Sequence, residues 1–70
     1  MQTYTAFVYL DGTILETRHD LSAVDAACIL EIDAIDVEAW IEEEGRVDGT
    51  DQMGRSVSVV PEGSEWPGPF

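Results

Sequence analysis

Lysine is missing from this chain altogether, and arginine occurs three times against fifteen aspartates and glutamates. The net charge of −12 argues against binding a nucleic-acid backbone or an anionic membrane, since both attract Lys and Arg. Cysteine occurs once, as Cys28, so no internal disulfide forms and nothing requires an oxidising compartment. Histidine also occurs once, as His19. Paired His ligands and Cys-x-x-Cys cannot be built, and no Gly-x-Ser-x-Gly elbow is present, so an enzyme is not expected. Asp48-Gly49-Thr50-Asp51 has the composition of a weak Ca²⁺ site but not the spacing of an EF-hand loop, and neither metal nor cofactor is expected. No apolar run approaches the ~20 residues of a membrane span, and no charged segment leads into an apolar one at the N-terminus. The expected location is the cytoplasm of a bacterial host.

What is present suffices for one folded domain. Seventy residues leave no room for a second, and 44% apolar content supports a modest core. TYTAFVYL (3–10) is β-branched and aromatic, and Asp11-Gly12 separates it from TILETR (13–18), a strong hairpin signal. Ser22 and Asp25 form a Ser-x-x-Asp capping box, and Leu21, Val24, Cys28 and Ile32 recur at helical spacing, predicting a helix over about 22–31. Cys28 on that stripe reads as a small core residue.

A second helix follows, capped by Asp33 or Asp36, with Val37, Trp40 and Ile41 facing inward and Gly45 ending it. A strand is the competing assignment, because Ile35, Val37, Ala39 and Ile41 alternate, but it turns Trp40 outward. Gly45 to Gly54 reads as a loop, RSVSVV (55–60) as a strand, and PEGSEWPGPF as an irregular tail onto which Trp66 or Phe70 docks back. The expected fold is α/β (α+β): an N-terminal β-hairpin, two short helices and C-terminal strand(s), ordered β-β-α-α-β, with room for a further short wing strand. Residues 1–60 form the acidic domain and 61–70 the tail.

The stretch DAIDVEAWIEEEG, Asp33 to Gly45, carries six acids and no base. A charge run is usually a solvated face, and Glu is a good helix former. These positions are nevertheless poor for stability. Glu42, Glu43 and Glu44 crowd a helix C-terminus, where the macrodipole disfavours anions by ~0.3–1 kcal/mol each. Glu38 and Glu42 are like charges at i, i+4. A marginal fold that tolerates this has another use for the acids. The candidate partner-binding residues are Glu31, Asp33, Asp36, Glu38, Glu42, Glu43 and Glu44, with Asp48 and Asp51 at the loop edge.

The letters from 21 to 41, LSAVDAACILEIDAIDVEAWI, resemble the helix-turn-helix of MerR- and excisionase-type DNA-binding proteins. The resemblance rests on Leu21-Ser22, Asp25-Ala26-Ala27, Ile29-Leu30, Ile32-Asp33, Val37 and Trp40-Ile41, mostly core places. It implies a second helix that enters the major groove and offers Arg, Lys, Asn or Gln. Here the outward residues are Ala34, Asp36, Glu38, Ala39, Glu42 and Glu43, which repel phosphate. Glu31 also stands where the family has its turn glycine. In size, charge and logic the chain resembles small acidic phage- and plasmid-encoded anti-CRISPR proteins that act as DNA mimics. That resemblance implies a non-enzymatic inhibitor whose acidic face occludes the basic PAM-binding site in the large subunit of a type I CRISPR effector, or a similar defence protein. The alternatives are a DNA-binding regulator or excision factor, as the helix-turn-helix implies, and an acidic antitoxin.

Overall fold

Asp11 and Gly12 both take positive φ, 51° and 80°, as a two-residue type I′ turn demands, and so close the expected first hairpin. In the computed structural model, which describes residues 2–68, this hairpin joins β1 (Tyr4–Leu10) to β2 (Thr13–Leu21). Helix α1 (Ala23–Leu30) begins at the predicted capping box. Ser22 Oγ accepts the Asp25 N–H at 3.1 Å, and the Asp25 carboxylate accepts the Ser22 N–H at 3.3 Å. The helix ends at Glu31, a non-glycine residue in the left-handed region with φ 57°.

A short turn leads into α2 (Ala34–Glu44), so the stretch is helix and not strand. Asp33 takes the N-cap position without a capping bond from its side chain. Gly45, at φ 77°, ends the helix and donates its N–H to Ile41 O at 2.9 Å.

The predicted loop 45–54 contains an additional strand, β3 (Val47–Thr50), paired antiparallel with β4 (Ser56–Pro61). Gly and Asp make its local composition loop-like, but ladder bonds to β4, with Val47 opposite Val59, override that composition. The element order is therefore β-β-α-α-β-β, with the sheet ordered β2-β1-β4-β3 and every neighbouring pair antiparallel. The register of β2 against β1 slips twice, once near Leu15 and once near Asp20, so this edge strand is bulged.

Both helices lie on one face of the sheet. Tyr4, Ala6, Val8, Val47, Val57 and Val59 meet Ala26, Ala27, Leu30, Val37 and Ile41 there. The stripe expected on α1 is corrected by this packing. Val24 is 61% exposed and Cys28 is exposed, while Ala26 and Ala27 are buried. The sheet supplies the bulk through Tyr4 and its valines, and small alanines let the helix sit close. Trp40, expected in the core, is 50% exposed for a related reason: Val37 and Ile41 already fill the space beneath α2.

The opposite face of the sheet is also covered. Thr5, Phe7, Tyr9, Ser58 and Val60 are buried there. The tail from Glu62 to Gly68 is irregular, as expected, but it crosses this face as a strap. Trp66 packs against Tyr9 with the two rings tilted by 57° and their centroids 5.4 Å apart. Arg46 donates to Gly68 O at 3.0 Å and to Ser58 Oγ at 3.0 Å. Phe70, the other docking candidate, lies outside the described residues.

Candidate protein-binding surface

Helix α2 turns about 100° per residue, which sorts its side chains into four strips. Val37 and Ile41 point into the sheet and are buried. Glu38 and Glu42 lie on one flank, above a groove that they share with Tyr4 and Val24. Trp40 and Glu44 lie on the other flank, above a second groove toward β3. The outer strip carries Asp36 and Glu43 beside Ile35, which is 73% exposed. Eleven residues make this ridge about 16 Å long, and side chains at i, i+3 and i+4 leave it from Cβ atoms roughly 5–6 Å apart. Glu31 and Asp33, both exposed, extend the acidic run around the turn before the helix.

None of these carboxylates has an ion-pair partner among the described residues. Among the described residues the ion pairs join Arg18 to Glu16, His19 to Glu62, Arg46 to Asp48, and Arg55 to Asp51 and Glu16. Each arginine is thus matched to an acid outside α2. The last turn of α2 contains no base to meet the negative end of its dipole. Glu38 also acts on its neighbourhood: burial, then the field of that carboxylate, raise the Tyr4 phenol above its ordinary value.

Two predicted contact residues belong elsewhere. Asp48 accepts two bonds from Arg46, at 2.8 and 2.6 Å, and a third from the Ser58 hydroxyl. That pairing holds the Arg46 guanidinium above its usual range, against the opposing effect of burial. Asp51 accepts the backbone N–H groups of Met53 and Arg55, each at 2.9 Å, and the Arg55 side chain at 2.8 Å. Burial pushes the Asp51 carboxyl up, but these bonds outweigh it and leave it below the ordinary value. Both aspartates shape the β3–β4 hairpin; their charge is used internally. The i, i+2 spacing of Arg46 and Asp48, at the entry to β3, was the sequence signal for the first of these pairs.

Glu62 was not singled out from the sequence, yet it is the most perturbed carboxylate described. It accepts the Thr5 hydroxyl and the Asp20 N–H (2.7 Å), and His19 Nδ1 lies 3.3 Å away. The Thr5 bond first, and the Asp20 bond next, lower its pKa to about 2. Its partners are more than forty residues away in sequence, so no local pattern announced it.

Among the described residues no group of three His, Cys, Asp or Glu side chains is arranged to hold a metal ion. No helix among them is long and apolar enough to cross a membrane. Compared with protein-family models, curated proteins and solved structures, the chain matches none.

Proposed function

We propose that this chain is a non-enzymatic nucleic-acid mimic. Its α2 ridge and the preceding turn occlude a basic site on a nucleic-acid-binding protein. The PAM-binding site in the large subunit of a type I CRISPR effector is the favoured target, within a bacterial cytoplasm. One observation carries the reading: every arginine is matched to an acid off α2, and among the described residues the carboxylates of Asp36, Glu38, Glu42, Glu43 and Glu44 meet no cation on their exposed ridge. Duplex DNA carries one phosphate per roughly 3.4 Å of each strand, and a basic cleft built for that row accepts a row of carboxylates by charge-assisted hydrogen bonds. Steering by the same field makes association fast and salt-sensitive.

The test is a tagged pull-down from nuclease-treated lysate of a defence-competent bacterium, at low and high salt, beside the variant Glu38→Lys/Glu42→Lys/Glu43→Lys. The wild type is expected to capture a DNA-binding defence protein that elutes at high salt. The variant is expected to remain folded and capture nothing. Undiminished capture by the folded variant would remove the ridge from the interface. Recovery of host DNA from untreated lysate, with no protein captured, would overturn the mimic in favour of a DNA-binding regulator.

A further inference from the structure

The groove on the Trp40 side of α2 differs from the rest of the acidic surface. It is an open groove of about 710 Å³ that runs from α2 over the β3 edge, where Tyr9, Asp48 and Ser56 also line it. Ile32 and Trp40, 38% and 50% exposed, give it an apolar wall. Val47 and Gly49 of β3 also line it, and Glu44 stands one helical turn beyond Trp40. Glu44 has no ion-pair partner among the described residues. Arg46 borders the groove too, but Asp48 takes two of its N–H groups, so its charge is answered within the chain.

An apolar wall, a half-exposed indole and an unanswered carboxylate together fit an occupant with an apolar stem and a cationic head. Arg and Lys side chains have that build. Arginine adds a planar face that stacks on an indole while its N–H donors reach a carboxylate.

We propose that this groove receives an arginine side chain of the basic partner, its stem along Ile32 and its guanidinium between the Trp40 ring and Glu44. The proposal rests on the mimic reading and deepens it. The outer carboxylates attract any polycation, whereas the groove discriminates arginine from lysine. A row of phosphates alone offers no aromatic face, so the groove adds a contact beyond the row of carboxylates.

The experiment titrates the protein with capped peptides of nine arginines or nine lysines, by calorimetry at low salt. The indole N–H signals of Trp40 and Trp66 are followed by NMR, with Trp66 as the internal control. Nona-arginine is expected to bind on the order of two- to fivefold more tightly than nona-lysine, the range of one exposed cation–π contact. The Trp40 signal should move and the Trp66 signal should not. Trp40→Leu and Glu44→Gln should erase the preference, and Trp40→Phe should keep part of it. The wild-type NMR result and Trp40→Phe decide the matter if Trp40→Leu fails to fold. Equal binding of the two peptides with an unmoved Trp40 signal overturns the groove and leaves the mimic standing. No binding, or binding indifferent to Glu38→Lys/Glu42→Lys/Glu43→Lys, overturns both.

Discussion

Glu62 shows how much one side chain can hold at the scale of a residue. Its carboxylate ties the strap to β1 through Thr5 and to the edge strand through Asp20. In the folded chain its pKa is about 2 against an ordinary 4.5, so the folded state prefers the charged form. The sign follows from linkage. The contribution is complete above about pH 4.5 and is lost as pH falls from there toward 2. Glu62→Gln keeps the shape and removes the charge. Its urea midpoint should lie below the wild type's at neutral pH, and the gap should close as pH drops through that window. A gap that stays constant with pH would mean that the Glu62 charge contributes nothing. Asp48 and Asp51 carry a related lesson. An acid with an arginine two or four positions away is a candidate for internal pairing before it is a candidate contact.

Helix α2 sets one property against another within a single element. Its stability comes from the strip that holds Val37 and Ile41, and its unmatched charge lies on the other three. Ile41→Ala should cost about 2–5 kcal/mol, the usual range for emptying a core site of that size, read from chemical denaturation. Glu42→Lys and Glu43→Lys should each raise stability by about 0.3–1 kcal/mol, because they place cations at the negative end of the helix dipole. A loss of stability in these two variants would mean that the acids serve the fold.

Much of this architecture was legible in the sequence because it is set locally. The Asp11-Gly12 turn, the Ser22/Asp25 box and the Gly45 stop each act within a few residues. What could not be read was set at a distance. Trp40 and Cys28 sit at apolar-looking helical positions, and only the sheet decides which side of each helix it covers. Alanines 26 and 27 won the inner face of α1 because bulk was already supplied across from them. β3 looks like loop until Val47 and Val59 are seen side by side. The acids of the ridge were visible as letters, but the fact that no arginine meets them required the fold.

At the scale of the whole molecule, a charge of −12 is spread over a body with principal extents of 31 × 23 × 20 Å. The Debye length is about 30 Å at 0.01 M salt, comparable to the whole body, and about 10 Å at 0.1 M, so added salt weakens the mutual repulsion of these charges. The five ion pairs described are few and mostly at the surface, where screening costs little. The melting temperature should therefore rise as sodium chloride is raised from 10 mM to 0.5 M. A fall would show that the internal pairs outweigh the repulsion. The same salt should weaken capture of a basic partner, so stability and binding are expected to move in opposite directions.

The central pairing of the sheet has a kinetic consequence. β1 and β4 lie side by side, with Tyr4 opposite Pro61, so the first and last strands of the chain meet at its middle. The hairpin and the helix pair can form early and locally, but neither has a floor to stand on until that long loop closes. The closure entropy falls on one late event, the β1–β4 pairing, which is the sheet's one long-range strand contact. Folding is therefore expected to be slow for the chain's size and to proceed without a stable half-built sheet. The acidic ridge gains its platform only when the two ends have met.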